Sequence, residues 1–405
     1  MVTSSSWGFD LSMTDSLQSV HTFMTRFGDP KGSALGFYGA ASSLGGVVAC
    51  FAGGYLTNRF GRRACCSIGS GIVIAMAIME TFAINFAMFT AAKCILGFGA
   101  NVMQIGGPPL VMELAHPKSR VAISSLYNTS IYFGLVVGAW ITYGTFAIDS
   151  EWSWKIPCIL QIALPIYQFF MIWFCPESPR WLASKGRIEE ARRILIRYHG
   201  GGQNTELVKM EMQEIIASLE IDKTELKFNA SGIRSILGSK GNIHRLWLSL
   251  LTAVGSQCLG STLVSAYLPD VLDQVGFSSS KDQTLINGLV QISSYVCALI
   301  GAALMPYVPR RKVFLWDTSA MLVLFIIWTA FSAKYVETGS STYGIGTVVM
   351  IFLFNMTYCI CWVPLVIVYP LETVTNKQRS VFFAFMYFCI NAASFIVRVA
   401  PRPSL

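Results

Sequence analysis

Long apolar segments recur along this chain, and each is long enough for a helix to cross a bilayer core about 30 Å thick. They form two groups, one before residue 175 and one after residue 245. A bilayer core holds no water, so backbone polar groups there must bond within the segment, which favours helices. Barrel strands would alternate in polarity over about ten residues, and these segments do not. The pattern predicts an all-α membrane protein with two groups of helices.

A polar stretch between the two groups divides the chain into three parts. We predict an N-terminal bundle at 1–174, a cytoplasmic linker at 175–245 and a C-terminal bundle at 246–405. The predicted spans are 33–56, 64–84, 86–113, 121–146 and 156–174, then 246–268, 285–305, 313–333, 343–369 and 381–399. The segment 7–24 is mildly amphipathic and too polar and short to be predicted as a span, so we expect an incomplete first helix.

The charge of the chain is low and unevenly placed. Charged residues make up 13% of the 405 residues, whereas soluble domains carry roughly 25%. The net charge of +8 comes largely from basic residues in alternate turns, as in membrane proteins with basic cytoplasmic loops. Placing the linker in the cytoplasm puts these basic turns on one side. The charge therefore predicts orientation, and we expect no nucleic-acid partner.

The linker contains two helix-favouring runs, 188–199 and 205–219, separated by three glycines at 200–202. Charged residues surround short apolar stretches in the first run, which is typical of amphipathic helices at a membrane surface. A solvated helix pair that only connects the bundles fits the pattern equally well. Both interpretations stay open.

Residue types that carry enzyme chemistry form no recognisable arrangement in the sequence. Most of the eleven cysteines lie within or beside apolar segments, without zinc-type or disulfide-type spacing. The four histidines are scattered, and no G-x-x-x-x-G-K-[ST] phosphate loop occurs. We expect no enzyme activity, no metal, no organic cofactor and no ATP-driven pumping.

Motifs at the turns carry a family resemblance. The quoted segments are Gly54-Tyr55-Leu56-Thr57-Asn58-Arg59-Phe60-Gly61-Arg62-Arg63, Pro176-Glu177-Ser178-Pro179-Arg180, Glu113 with Pro117 and Arg120, Glu372 with Arg379, and 257–292. With these motifs in this order, the chain resembles the sugar-porter branch of the major facilitator superfamily, in particular fungal hexose and lactose permeases. The resemblance extends from Trp7 to about Val399.

The resemblance implies two pseudo-symmetric helical bundles that open a central site to each side of the membrane in turn. Since such transporters have two halves of six helices, we expect a truncated fold with about 10–11 of twelve helices and the last one missing.

The resemblance also implies a cytoplasmic charge network. Its members are Arg62, Arg63, Glu113, Arg120, Glu177, Arg180, Arg310, Arg311, Glu372 and Arg379. Cations favour helix C-termini and the membrane interface, and carboxylates at the same depth would latch the two bundles in the outward-facing state. Alternatively these are surface ion pairs worth about 0–1 kcal/mol each. Pro306 and Pro309 replace the Asp and Gly that relatives usually have before the second Arg pair, so the second half departs from the family pattern at this turn.

Two ionisable residues match the proton-coupling positions of the family. Asp10 corresponds to the first-helix carboxylate of proton-coupled sugar porters, and Lys93 stands where relatives usually have Arg. A pair between them would hold Asp10 ionised until a proton, taken up with sugar, neutralises it. Lys lacks the bidentate geometry of Arg. Alternatively, Asp10 lies in an exterior stub and Lys93 reaches the outer surface.

Position in the family nominates Asn128, Gln257, Gln291, Thr262 and Asn391 as sugar ligands. A sugar needs hydrogen-bond donors and acceptors from facing helices together with an aromatic platform. Trp362 lies near the position of the stacking tryptophan of relatives without matching it. Alternatively, each amide makes an interhelical hydrogen bond worth about 0.6 kcal/mol.

The resemblance implies a secondary transporter for a hexose or disaccharide, working by alternating access as a carbohydrate:proton symporter. We expect a multi-pass protein of the plasma membrane, monomeric, whose partners are a small sugar and the lipid bilayer. A truncated, inactive relic and a non-transporting sugar sensor are the alternative interpretations.

Overall fold

A computed structural model describes residues 1–30, 32–117, 119–225, 240–259, 261–274, 276, 279–305, 307–373 and 379–399. Within these ranges all regular structure is helical. Seven described segments are long and apolar enough to cross a membrane: Ser33–Phe60, Arg62–Thr81, Phe86–Leu114, Trp152–Phe174, Lys281–Leu304, Arg310–Thr338 and Ser341–Val366. The prediction of an all-α membrane protein is confirmed.

The described residues of the first half form eight α-helices. They are α1 (Val2–Leu17), α2 (His21–Arg26), α3 (Ser33–Phe60), α4 (Arg62–Thr81), α5 (Phe86–Leu114), α6 (Arg120–Thr145), α7 (Trp152–Leu160) and α8 (Ala163–Met171). Helix α5 packs between α3 and α4, whereas α1 packs along α6.

The described residues of the linker and the second half form nine further α-helices. They are α9 (Pro179–Ser184), α10 (Ile188–Tyr198), α11 (Glu206–Glu225), α12 (Lys240–Cys258), α13 (Ser261–Gln274), α14 (Ser280–Leu304), α15 (Arg310–Thr338), α16 (Ser341–Thr373) and α17 (Arg379–Val399). In the second half α16 packs against α14 and α15, and α12 packs against α17.

The polar N-terminal segment is more ordered than its sequence suggests. Helix α1 starts at Val2, and most of its serines and threonines are buried. Thr14 Oγ1 donates to the carbonyl oxygen of Asp10 at 2.7 Å and Ser5 Oγ donates to that of Ser130 at 2.9 Å, whereas Ser4 Oγ and Ser12 Oγ have no hydrogen-bond partner within the described residues. Such backbone bonds satisfy a hydroxyl without water, so a Ser-rich helix is compatible with burial.

Two predicted spans are each divided into two helices. The segment 156–174 is interrupted by a turn at Gln161 between α7 and α8. Pro165 has no N–H to donate to the carbonyl of Gln161, which explains the interruption. The segment 246–268 divides into α12 and α13, and the sequence between them contains Gly260, a poor helix former.

Glycines allow two pairs of helices to approach closely. A side chain at Gly8 on α1 would collide with the backbone of Ile131 on α6, and one at Gly134 would collide with that of Ser5. The same holds where Gly45 of α3 crosses α5. Small residues at crossings are a common means of membrane-helix association.

The two halves meet along a continuous interface. Helix α17 packs against α3, while α14 and α16 pack against α6. Polar side chains cross this interface, including Ser43 with Ser394 at 3.1 Å and Asn287 with Ser16 at 3.1 Å. The candidate site therefore lies where buried polar groups of both halves face each other.

Candidate functional site

A buried ion pair lies inside the first half. Asp10 on α1 is 1% exposed and Lys93 on α5 is fully buried, and Lys93 Nζ lies 2.6 Å from Asp10 Oδ1. Gln161 Nε2 donates to the same oxygen at 2.6 Å, and Ser42 Oγ donates to Asp10 Oδ2 at 3.4 Å. The structure thus brings together the two residues predicted for proton coupling. The exterior stub and the surface-reaching lysine are not observed.

A second carboxyl group, which the sequence analysis missed, belongs to the same cluster. Glu80 near the end of α4 is fully buried, and its Oε1 lies 4.0 Å from Lys93 Nζ. Within the described residues neither oxygen of Glu80 has a hydrogen-bond partner. An ionisable residue inside a predicted span is itself a signal of function, so Glu80 was visible in the sequence. Gln161 is also polar and lies within a predicted span, but it is not ionisable, so it is weaker evidence of function.

Two of the predicted sugar ligands lie at the interface between the halves. Asn391 on α17 donates to Asn101 Oδ1 on α5 at 3.0 Å and to the carbonyl of Tyr387 at 2.8 Å. Asn128 on α6 donates to the carbonyl of Val363 on α16. Both side chains are buried, at 3% and 4% exposure. Each therefore forms a hydrogen bond to the opposite half of the protein.

Gln291 belongs to a separate polar group near α1. Its Nε2 donates to Asn287 Oδ1 at 3.3 Å, and Asn287 in turn donates to Ser16 Oγ of α1. Gln257, by contrast, is half-buried and bonds within the second half. It accepts from Thr262 Oγ1 at 2.9 Å and donates to Ser256 Oγ at 3.2 Å. The five predicted ligands therefore form several hydrogen-bonded groups.

Trp362 on α16 packs beside one of these groups. Its ring lies 3.4 Å from the position of a Cβ on Gly255, two residues before Gln257. It also contacts Phe314 edge to face, at 4.9 Å between ring centroids. Its Nε1 is buried without a hydrogen-bond partner within the described residues. A donor without a partner next to the amides suits a polar ligand.

The cytoplasmic charge network is built around Glu177. Its carboxylate accepts the backbone N–H groups of Arg62 at 3.1 Å, Arg63 at 3.3 Å and Ser178 at 2.9 Å. Arg62 and Arg63 begin α4, so Glu177 caps that helix through its exposed amides. Arg62 Nη2 also pairs with Glu113 at 3.4 Å.

Two further arginines of the network pair with helix α11 of the linker. Arg120 pairs with Glu211 of α11 at 3.5 Å, and Arg180 pairs with Glu214 at 3.6 Å. A cavity of about 340 Å³ opens beside Glu177, lined by residues of α4, α9 and α10 and by none of the five predicted sugar ligands. In the second half Arg310 donates to the carbonyl of Met305 at 2.8 Å.

The predicted latch between the halves stays a prediction. The ion pairs described above lie within the first half, between the first half and the linker, or within the linker. Arg311 is exposed. The side chains of Glu372 and Arg379 lie outside the described residues.

An ion pair between the halves occurs instead at the opposite side of the bundle. Arg398 near the end of α17 pairs with Asp15 near the end of α1, with Nη1 2.7 Å from Oδ1. Arg398 also donates to the carbonyl of Gly39. Sequence reasoning missed this contact because the two residues are 383 positions apart.

Comparisons with known proteins agree with this architecture. The family profile described as "Sugar (and other) transporter" matches residues 2–401. The chain is 25% identical over 374 residues to MFS-type transporter criB of Aspergillus cristatus, covering 92% of this chain and 80% of the relative. It is 24% identical over 398 residues to Hexose transporter 2 of Kluyveromyces lactis, covering 92% and 68%.

Among solved structures, the chain is similar to the MFS proton:xylose symporter XylE of E. coli bound to 6-bromo-6-deoxy-D-glucose. The TM-score is 0.81 at 20% identity, covering 98% of this chain and 86% of that one. At this identity the likeness establishes the fold. The expectation of two helical bundles of the major facilitator type is confirmed.

Proposed function

The chain belongs to the sugar transporter family of the major facilitator superfamily, and on that premise we propose that it carries a hexose or disaccharide together with a proton. Members of this family are transporters rather than enzymes. The protein is an integral multi-pass membrane protein. We place it in the plasma membrane as a monomer, with lipid around it and no cofactor other than the coupled proton.

The observation that carries the coupling is the buried contact between Asp10 and Lys93. An ion pair in a dry interior is stable only while both partners are charged, and loss of one partner costs about 3–5 kcal/mol. A proton on Asp10 removes the attraction that holds α1 to α5 at this point. Protonation of Asp10 therefore shifts the equilibrium between two conformations of the bundle. It favours the conformation in which Asp10 and Lys93 are not paired.

Sugar recognition in this proposal uses the buried amides between the halves. Asn128 and Asn391 bond across the interface without sugar, and Gln291 lies in a polar group that also reaches α1. Rocking of the halves breaks such contacts, and sugar hydroxyls replace them. Without this replacement, each buried amide left without a hydrogen-bond partner would cost about 1–3 kcal/mol of stability. Sugar thus stabilises the intermediate between the two open states.

The similar proteins support this choice of substrate and coupling ion. One relative is named a hexose transporter, and the similar structure is a proton:xylose symporter holding a glucose derivative. We transfer the substrate class and the proton to this chain as parts of the proposal.

The experiment is uptake of labelled glucose, galactose, xylose and lactose by a host that lacks its own sugar carriers. We expect at least one sugar to accumulate above its external concentration, and a protonophore to abolish the accumulation. Asp10→Asn should equilibrate sugar without accumulating it. Asp149→Asn, at an exposed carboxylate in a loop, is the matched control and should behave as the wild type.

Two results would contradict the proposal. Uptake that a protonophore leaves unchanged would exclude proton coupling. Absence of uptake for every sugar, with the protein shown at the cell surface, would exclude transport of these sugars and favour the sensor or relic.

A further inference from the structure

The cluster around Lys93 contains one more carboxyl group than cations. Asp10 and Glu80 both face the ammonium group, at 2.6 Å and 4.0 Å. Tyr38 on α3 and Cys158 on α7 also face the cluster and are uncharged at neutral pH, because their ordinary pKa values lie above it. Arg398 on α17 faces Asp10 as well, but its charge is balanced by Asp15 at 2.7 Å. Two ionised carboxylates would leave an uncompensated negative charge inside the membrane, which is strongly unfavourable. One of the two carboxyl groups therefore holds a proton.

The hydrogen-bond donors show which carboxyl group this is. The Asp10 carboxylate accepts hydrogen bonds from Lys93 and Gln161, each at 2.6 Å, and from Ser42 at 3.4 Å. Glu80 receives no hydrogen bond within the described residues. Donors stabilise the ionised form of an acid, and their absence in a buried place favours the neutral form. This geometry favours the negative charge on Asp10 and the proton on Glu80.

We propose that Glu80 is a second proton-binding residue of the coupling site and the alternate partner of Lys93. This inference rests on the proposed proton coupling and deepens it. When Asp10 is protonated, Lys93 would otherwise be left as an unpaired cation in a dry interior. Glu80 lies near enough to take over as its counter-ion after a small movement of the lysine side chain.

The proton balance of one cycle follows from these roles. First, the O–H bond of Glu80 breaks and an O–H bond forms on Asp10, while Lys93 moves from Asp10 to Glu80, so the cluster remains neutral. Asp10 then releases its proton to the cytoplasm as the sugar leaves, and Lys93 returns to it; the cluster is left with one net negative charge, an unfavourable state that attracts the next proton. Finally, a proton from outside restores the O–H bond of Glu80. One proton crosses the membrane per cycle.

The place of Glu80 in the fold fits the last step. Helix α4 begins at the basic cytoplasmic turn with Arg62, and Glu80 is the penultimate residue at its other end. Glu80 therefore lies on the outer side of the cluster. A proton that enters from outside meets it before it meets Asp10.

Infrared spectroscopy of the purified full-length protein without sugar tests the shared proton directly. The wild type should show an absorption of a buried protonated carboxyl group at neutral pH, and Glu80→Gln should lose it. Asp10→Asn should lose it as well, because Lys93 then has only Glu80 as a partner and Glu80 ionises. Retention of the band in Asp10→Asn would overturn the proposal, since Glu80 would then be neutral irrespective of Asp10. Retention in Glu80→Gln would also overturn it.

Transport measurements test the role in the cycle. Glu80→Gln, which matches the size of the protonated side chain, should lose sugar accumulation and keep exchange of labelled for unlabelled sugar. Glu80→Asp should restore part of the accumulation, since it retains a carboxyl group. Accumulation by Glu80→Gln at the wild-type level would overturn the relay. If a protonophore left wild-type uptake unchanged, the proposed proton coupling would be wrong. The infrared comparison would still decide whether the two carboxyl groups share a proton.

Discussion

Removing the buried cation while leaving its two acidic neighbours is the sharpest perturbation that the structure offers. Lys93→Met keeps most of the side-chain volume and removes the charge that faces Asp10 at 2.6 Å and Glu80 at 4.0 Å. Both carboxyl groups must then be neutral in the folded protein. The wild type needs only one of them to be neutral.

The cost follows from the extra proton. Protonating a carboxyl group whose unfolded-state pKa is about 4 costs about 4 kcal/mol at pH 7. The folded variant binds one proton more than the wild type does, so its destabilisation grows by about 1.4 kcal/mol for each unit of rising pH. The loss is therefore largest at high pH and shrinks as the medium is acidified.

Thermal unfolding of the detergent-purified protein measures this effect. Fluorescence of buried tryptophans such as Trp154, which lies in the apolar cluster of α1, α3, α5 and α7, reports the transition. We expect Lys93→Met to unfold several degrees below the wild type at pH 8 and closer to it at pH 6. The double variant Asp10→Asn/Lys93→Met should recover most of the loss. Equal stability of Lys93→Met and the wild type at both pH values, or a loss independent of pH, would refute the reasoning.

Three further predictions concern other parts of the molecule, and all are read out by thermal unfolding. Glu177→Gln removes the charge from the N-terminal cap of α4 and should cost about 1–2 kcal/mol; an unchanged melting temperature would contradict it. Gly134→Leu should prevent folding because α1 leaves no space for a side chain, whereas Gly54→Ala, which meets open space, should fold normally. Arg398→Gln orphans Asp15 and should cost about 3–5 kcal/mol, part of which Asp15→Asn should restore in the double variant; equal loss in single and double variants would argue against the pair.

The cytoplasmic motifs show how far sequence reasoning reached. Glu177, Arg62 and Arg63 were nominated together, and the structure does bring them together, but through backbone N–H groups at a helix start rather than through guanidinium groups. Which atom of a residue serves as the donor depends on the direction in which the chain enters a helix. A motif names the residue types and leaves that direction open.

The buried cluster shows the opposite case. Asp10 and Lys93 were paired from their match to a family pattern, whereas Glu80 went unnoticed although it interrupts an apolar segment. Its significance depends on the packing of α4 against α5, which turns its carboxyl group toward Lys93. Arg398 and Asp15 likewise become partners only when α17 lies beside α1 and α3.

Apolar length determined the membrane class and the helical fold, because the bilayer imposes the same constraint on every spanning segment separately. The placement of basic residues predicts the orientation. Partnerships between buried polar groups were decided by tertiary structure alone. In a medium without water each such group must find a partner on another helix or in its own backbone, and only the packing of helices decides which partner is within reach.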